Sequence, residues 1–259
     1  MFQRTVTIFI WAPIFLAFIL LGKWPLRIFF IGIILLAANE LKNMVEPNNI
    51  QIDLPAIAMM SSAAFFIQPL SESNLIWIFF GFLVYLLAKK VLLFPSFSLV
   101  SLAMNCFAAL YIVTPFWSAY YLRVSENGIA WVLIVCFLAW SYDIFAYLTG
   151  YFFGKTHPFP DISPKKSTEG LIGGLVGSVL TMLVFSFVMK LSPLNFAILG
   201  LFGGIVAQIG DLVESSIKRE FKIKDSGNLL PGHGGILDRF DSWMLVVFVV
   251  ILFRRYVFM

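Results

Sequence analysis

The chain has 259 residues, of which 60% are hydrophobic and only 12% are charged, and its mean hydropathy is +0.92. This composition lies far outside that of soluble globular domains. The formal net charge of +4 is too small and too scattered to indicate a nucleic-acid-binding protein. Long apolar runs without period-two alternation favour helices, so we expect an all-α polytopic integral membrane protein.

Apolar runs separated by charged residues, proline or glycine predict about nine transmembrane helices. The first run has no small-residue cleavage site after it, and a second run follows at once, so we expect a membrane helix there and not a signal peptide. Cys106 and Cys136 fall inside apolar runs and are expected to be small buried hydrophobic residues. The predicted spans lie near residues 5–22, 25–41, 53–70, 74–93, 97–117, 128–149, 170–190, 194–213 and 241–258.

The richest Lys and Arg loops are residues 154–170 and 218–235, and two predicted spans separate them. Both loops therefore face the same side, which the positive-inside rule makes the cytoplasm. We expect a polar active-site cavity to open towards that side. Arg254 and Arg255 conflict with this orientation, because counting forward places them outside.

Ionisable residues are distributed unevenly along the chain. Residues 1–140 carry almost none within their predicted spans, whereas residues 141–242 carry nearly all of them. We therefore expect residues 1–140 to form a framework with any oligomer contacts, and residues 141–259 to form a catalytic region.

Asp143 lies late in an apolar run, and Tyr147 follows one helical turn later on the same face. A carboxylate at membrane depth is costly, so it is usually paired, exposed to water or functional. The position favours a functional Asp143, and a structural hydrogen bond within the helix bundle is the alternative.

The segment SPKKSTEG combines a basic pair with a helix start. Ser167 with Glu169, or Thr168, can cap a helix that begins near Gly170. Lys165 and Lys166 then stand beside a helix N-terminus, an arrangement that attracts phosphate. An ordinary basic loop with a good cap explains the segment equally well.

The run from Asp211 predicts an acidic group followed by a basic one, if the helix continues past the membrane edge. Asp211, Glu214 and Lys218 then lie on one helix face at i, i+3 and i+7, with Ser215 beside them. A solvated amphipathic helix is the alternative. The basic residues that follow are Lys218, Arg219, Lys222 and Lys224.

The segment PGHGGILDRFDS, residues 231–242, suggests a ligand site. Its glycines permit close approach of the backbone to a ligand. Asp238 and Asp241 are three residues apart at the start of the last helix, so both can point at one cation. Carboxylate oxygens with room for water and phosphate suit Mg²⁺. The chain has no zinc-type Cys/His spacing, no P-loop and no dinucleotide fingerprint.

Acidic and basic clusters at a membrane surface are what metal-assisted phosphoryl or nucleotidyl transfer requires. The hydrophobic frame suggests a lipid as one reactant. A transporter or channel with Asp143 and Asp211 on an ion path is the alternative from a different class of function.

Residues 215–241 resemble the long C-terminal motif of the phosphatidate cytidylyltransferase family, also known as CDP-diglyceride synthases. SPKKSTEG and the segment from Asp143 to Tyr147 are also similar to family elements, so the resemblance covers roughly residues 140–245. The matching positions are Ser215, Lys218, Arg219, Lys224, Asp225, Gly227, Leu230, Pro231, His233, Gly234, Gly235, Asp238, Arg239 and Asp241.

The resemblance implies that CTP and phosphatidic acid react to give CDP-diacylglycerol and pyrophosphate. The alternative within the same group of membrane enzymes is a CTP-dependent kinase or cytidylyltransferase that acts on a polyprenol, phytol or an ether-lipid phosphate. It implies a need for Mg²⁺, as one or two ions, with a monovalent cation as a possible addition. It also implies a homodimer in the lipid bilayer of the inner (cytoplasmic) membrane.

The resemblance also implies roles for individual residues. Asp211, Asp238 and Asp241 are the expected metal ligands. His233 would contact phosphate or shape the glycine turn. The other expected catalytic residues, mostly phosphate-binding, are Lys218, Arg219, Lys224, Asp225 and Arg239, with Asp211 among them. The expected substrate-binding residues are Asp143, Lys165, Lys166, Ser215, Gly234 and Gly235.

Overall fold

The computed structural model describes residues 2–67, 70–227 and 234–257, and the regular elements in these ranges are helices. The predicted all-α class is therefore confirmed. In the first half of the chain the α-helices are α1 (Phe2–Leu21), α2 (Lys23–Val45), α3 (Leu54–Phe66), α4 (Glu72–Leu92), α5 (Leu99–Ala108) and α6 (Thr114–Val124). In the second half they are α7 (Gly128–Phe153), α8 (Thr168–Met189), α9 (Pro193–Glu220) and α10 (Leu237–Val257).

Six helical stretches of the described chain are long and apolar enough to cross a membrane. The chain is thus a multi-pass membrane protein, as predicted, but the number of nine spans is not confirmed. Helix α3 has 13 residues, and at about 1.5 Å per residue it is shorter than the roughly 30 Å hydrocarbon core. The six stretches are Lys23–Asn48, Glu72–Leu92, Leu99–Val124, Gly128–Phe153, Thr168–Met189 and Pro193–Glu220.

Helix α9 continues past the predicted end of its span at residue 213 and reaches Glu220. The extra two turns consist mostly of polar and charged residues, which remain helical. The condition for placing Asp211, Glu214 and Lys218 on one helix face is therefore met.

Serine hydroxyls cap four of the helices. Ser71, Ser98, Ser167 and Ser192 each accept a hydrogen bond from the backbone N–H three residues further on. These bonds satisfy N–H groups that have no partner within their own helix. The predicted cap at Ser167 is confirmed, with Gly170 N donating to Ser167 Oγ at 3.1 Å.

The chain divides into two compact units. The first unit comprises Met1–Val124 and Asp225–Asp238, and the second comprises Ser125–Lys224 and Arg239–Met259. The boundary falls within the first turn of α10. The predicted division into a framework (1–140) and a catalytic region (141–259) concerns roles, and it stays a prediction.

Buried aromatic side chains form much of the core of the first unit. Phe30 of α2 packs edge-to-face on Phe116 of α6, and Phe65 of α3 packs in the same way on Tyr120. Arg123 donates to the carbonyl oxygens of Ile19 and Leu20, which end α1. This contact satisfies helix-terminal acceptors that would otherwise lack partners.

Glycines allow close helix packing in the second unit. A Cβ atom at Gly170 of α8 would lie 2.8 Å from the Ala146 carbonyl oxygen of α7. A Cβ atom at Gly210 of α9 would lie 2.5 Å from the Asp241 carbonyl oxygen of α10. Small residues at such crossings let backbones approach where lipid supplies no hydrophobic drive for association. The first contact packs α8 on α7, and the second packs α9 on α10 beside Asp211 and Asp241.

Candidate active site

Asp143 lies on α7. Many protein atoms surround its side chain, but part of the side chain remains exposed. Its Oδ1 atom accepts a hydrogen bond from Ser242 Oγ of α10 at 3.3 Å. Asp143 is thus hydrogen-bonded within the bundle and also accessible. The two readings of this residue from sequence, structural and functional, do not exclude each other.

Asp211 of α9 lies between a lysine and a serine. Its Oδ2 atom is 2.6 Å from Lys166 Nζ, and its Oδ1 atom accepts from Ser215 Oγ at 3.4 Å. The structure therefore joins the loop before α8 to the acidic end of α9, two regions that are 45 residues apart in sequence (211 minus 166).

The loop before α8 is held by hydrogen bonds of its own. Glu169 accepts from the backbone N–H groups of Lys155 and Thr156, at 3.0 and 3.3 Å. Thr168 N donates to the Thr156 carbonyl oxygen at 2.8 Å. These bonds, with the Ser167 cap, fix the backbone on either side of Lys166. Lys166 is therefore presented to Asp211 by an ordered turn.

Asp241 lies in the second turn of α10. Its Oδ1 atom accepts from Ser242 N at 2.7 Å, and its backbone is the group that packs on Gly210. Asp241 interacts electrostatically with Asp143, Asp211 and Glu214. Asp211 directly follows Gly210 in α9. The packing of Gly210 on α10 therefore places the Asp211 carboxylate near that of Asp241.

Asp143, Asp211 and Asp241 form what we term the carboxylate cluster. Like charges repel strongly where protein has replaced water, so three neighbouring carboxylates require cations or protons. Lys166 and Arg239 supply part of this charge, since both interact favourably with Asp143. The carboxylate cluster is therefore the part of the second unit suited to binding a cation.

The basic end of α9 lies next to the cluster. Lys218 forms an ion pair with Glu214, one turn earlier on the same helix, and both side chains are nearly buried. Arg219 donates to the carbonyl oxygens of Ile162 and Ile223, at 3.2 and 2.8 Å. The structure thus ties both residues to the protein, and their predicted phosphate contacts stay predictions.

Asp238 belongs to the first unit. Its Oδ2 atom accepts from Ser226 N at 2.9 Å, from Ser226 Oγ at 2.8 Å and from Gly235 N at 2.8 Å. Asp238 thereby closes the segment that precedes α10 onto the start of the helix. Its predicted role as a metal ligand stays a prediction, as does a substrate role for Gly234 and Gly235.

Glu40 was not identified from the sequence. It lies near the end of α2, it is only 6% exposed, and it contacts Ser226, Ile236 and Leu237. The expectation that the spans of residues 1–140 carry almost no ionisable group passes over this carboxylate. A single Glu inside an otherwise apolar helix is the signal that would have found it.

The exposure of the other predicted site residues is as follows. Lys165, Lys224, Asp225 and Arg239 are exposed. His233 lies outside the described residues.

The carboxylate cluster has the donor chemistry that Mg²⁺ prefers, because all its ligating atoms are carboxylate oxygens. Among the described residues, no group of three His, Cys, Asp or Glu side chains is placed to hold a metal ion. Mg²⁺ at phosphate-transfer sites uses one or two carboxylates, with water and substrate phosphate completing its shell. Two members of the cluster would therefore suffice as protein ligands.

The sequence profile of the cytidylyltransferase family matches residues 2–257 of this chain. The chain belongs to this family. The family assignment made from the C-terminal motif is thereby confirmed, and the match extends to the N-terminal helices.

Bacterial relatives match the chain over nearly its full length, and each is named a phosphatidate cytidylyltransferase. The Bacillus subtilis (strain 168) protein is 34% identical over 257 residues, which cover 95% of this chain and 94% of the relative. The Staphylococcus haemolyticus (strain JCSC1435) protein is 37% identical over 257 residues (94% and 95%). The Staphylococcus aureus (strain COL) protein is 36% identical over 253 residues (94% and 95%).

Proposed function

We propose that this chain transfers the cytidylyl group of CTP to phosphatidic acid, giving CDP-diacylglycerol and pyrophosphate. The observation that carries the proposal is the match of nearly the whole chain to proteins named phosphatidate cytidylyltransferase. The six apolar stretches suit a lipid substrate, and the carboxylate and basic groups of the second unit suit a triphosphate.

In this reaction a phosphate oxygen of phosphatidate forms a bond to the α-phosphorus of CTP. The bond from that phosphorus to the bridging oxygen breaks, and its electron pair leaves with pyrophosphate. The attacking oxygen is already ionised near neutral pH, so the step requires no strong general base. The protein therefore contributes mainly by orienting two anions and by offsetting their charge.

Lys166 is well placed for this work. It is bonded to Asp211 and its backbone is ordered by the Ser167 cap, so it can hold phosphate oxygens beside the cluster with little loss of side-chain freedom. Lys165, exposed next to it, and Arg239 of α10 are candidates to neutralise the remaining phosphate charge.

Asp211 and Asp241 are our candidates for holding Mg²⁺, with Asp143 beside them and Asp238 as the further ligand inferred from the motif. When bound, the ion would neutralise phosphate oxygens as charge develops on the leaving group. A second divalent ion or a monovalent ion is compatible with the same set of oxygen donors.

We further propose that the chain resides in the inner membrane as a homodimer, with its carboxylate cluster facing the cytoplasm. CTP is a cytoplasmic solute, and the loop that carries Lys165 and Lys166 is among the richest in basic residues. The positive-inside rule supports this orientation.

The proposal is tested with purified protein in detergent and lipid mixed micelles. Labelled CTP is supplied with phosphatidic acid, with a polyprenol or with an ether-lipid phosphate, and with Mg²⁺ or with EDTA. We expect label in CDP-diacylglycerol, equimolar pyrophosphate, and loss of both with EDTA. Label in a lipid alcohol but not with phosphatidate would refute the acceptor, and no use of CTP with any acceptor would refute the reaction class.

A further inference from the structure

Glu40 is a buried carboxylate of the first unit that the reaction scheme does not use. It is the one acidic residue of α2, a helix otherwise dominated by apolar side chains. Burying a carboxylate is costly unless its oxygens are hydrogen-bonded. The contacts that Glu40 makes should therefore explain its presence.

The contacts of Glu40 lie at the start of α10. Oε1 accepts from Ile236 N at 2.7 Å, and Oε2 accepts from Leu237 N at 3.0 Å. The first N–H groups of a helix have no partner within it, and they form its positive end. Glu40 thus supplies, from 196 residues earlier in the chain, the cap that local sequence supplies to α4, α5, α8 and α9.

Ser226 links Glu40 to Asp238. Its Oγ atom is 3.0 Å from Glu40 Oε2 and 2.8 Å from Asp238 Oδ2, while its backbone N–H donates to the same Asp238 oxygen. A hydroxyl has one proton, so it donates to one of these carboxylates at a time. The position of Asp238 therefore depends on a serine that Glu40 also holds.

Two glycines of the C-terminal motif pack directly on Glu40. A Cβ atom at Gly227 would lie 2.9 Å from Glu40 Oε1, and one at Gly235 would collide with Glu40 and with Ser226 Oγ. Space for the Glu40 carboxylate thus accounts for the lack of a side chain at both positions.

We propose that Glu40 is a positioning residue of the cytidylyl transfer reaction. Within the C-terminal motif, Glu40 holds two described stretches, Ser226–Gly227 and Gly235–Leu237. Through Ser226 it also orients Asp238. This inference rests on the proposed function for its kinetic consequence, but the structural part stands without it.

The first test is tryptic cleavage of purified protein after Lys222 and Lys224, which needs no substrate. Glu40→Ala removes all the bonds, and Glu40→Gln leaves one acceptor oxygen and places an amide N–H against a donor. We expect cleavage to be fastest in Glu40→Ala, intermediate in Glu40→Gln and slow in wild type. Glu46→Gln, an exposed carboxylate just beyond α2, is the matched control and should behave as wild type.

The second test is a double-mutant cycle on turnover. Glu40→Gln and Ser226→Ala should each lower kcat at least about tenfold, and the double variant should lose little more, because both remove the same link. Fully additive losses would overturn the link through Ser226. Loss of kcat in Glu40→Ala with wild-type cleavage would overturn positioning and assign Glu40 to the substrate.

The outcomes separate the two proposals. If wild-type protein does not use CTP, the proposed function fails while the cleavage rates still report on the segment. If the Glu40 variants do not accumulate in membranes, Ser226→Ala carries the cleavage test, and a wild-type rate for it would overturn the inference.

Discussion

Asp241 lies beside two other carboxylates and accepts a hydrogen bond from the amide of Ser242. The hydrogen bond that its side chain accepts does little to hold the fold, since the bond from Ser242 is local and an amide side chain could accept it equally well. Its charge is repelled by Asp143 and Asp211. A residue whose charge disfavours the isolated protein is expected to serve a bound cation or substrate.

Asp241→Asn should therefore lower kcat by about a hundredfold or more while leaving stability unchanged or raised, because it would remove a proposed metal ligand and a repulsion. Turnover in the CTP assay and the thermal midpoint in detergent measure the two effects. Asp161→Asn, which alters an exposed carboxylate in the loop before α8, should change neither. Near wild-type activity of Asp241→Asn would contradict the assignment.

Asp53 offers the opposite case, a buried charge with a structural role. It caps α3 and accepts hydrogen bonds from Tyr85 and Lys89 of α4, and Asn105 of α5 accepts from its backbone N–H. The loop before α3 is thus tied to two other helices. Removing one partner of such a pair leaves an uncompensated charge.

Lys89→Met should lower the free energy of unfolding by about 3 kcal/mol, because Asp53 loses its counter-charge. Lys90→Met is the matched control, since Lys90 donates to a carbonyl oxygen, that of Phe97, and its loss should cost about 1 kcal/mol. Denaturation in detergent followed by tryptophan fluorescence compares the two. Equal losses would show that the Asp53 pair contributes no more than a neutral hydrogen bond.

Helices α9 and α10 illustrate how an element places a side chain. The contact between Gly210 and the backbone of Asp241 and Ser242 brings Asp211 and Asp241, each beside this crossing, within electrostatic reach. Any side chain at residue 210 must push the two helices apart. The glycine therefore acts on the site through helix separation.

Gly210→Ala should reduce kcat at least about tenfold, because a shift of about 1 Å in the carboxylates disturbs the geometry of transfer. Gly32→Ala and Gly81→Ala are matched controls, since a Cβ atom at either position meets nothing within 4 Å. Turnover at saturating CTP and lipid measures the effect. Gly210→Ala with the turnover of the controls would show that the crossing tolerates separation.

At the scale of the whole molecule, the chain is a multi-pass membrane protein with two polar segments of sequence, one before α8 and one after α9. Cys106 and Cys136 are not joined in a disulfide, and Cys136 is fully buried. The predicted burial is thus confirmed for Cys136, whereas Cys106 is only half-buried. Neither belongs to the carboxylate cluster, so neither is expected to take part in the reaction.

A chain with Cys106→Ala and Cys136→Ala should retain most of its activity and can then report orientation. Asp161→Cys in this background places one exposed thiol in the loop before α8. We expect a membrane-impermeant maleimide to label this thiol in inverted membrane vesicles and not in intact cells. Labelling from the outside would reverse the proposed orientation, and a large loss of activity in the cysteine-free chain would show that a native thiol matters.

Sequence reasoning located the helices and the motif because both are written in local patterns. Apolar runs indicate membrane helices directly, since a helix that crosses the hydrocarbon core needs a long stretch of mostly apolar residues. Ser167 was recognisable as a cap from its neighbours alone. The number of spans was less accessible, because an apolar run such as that of α3 can form a helix too short to cross the hydrocarbon core.

The sequence by itself determined the class, the family and the polar residues from which a site could be built. Only the tertiary structure decided their grouping: Lys166 with Asp211, Ser242 with Asp143, and Glu40 with the start of α10. These pairs lie 45, 99 and 196 residues apart, and no local pattern encodes them. They depend on which helices and loops touch, and long-range packing decides that.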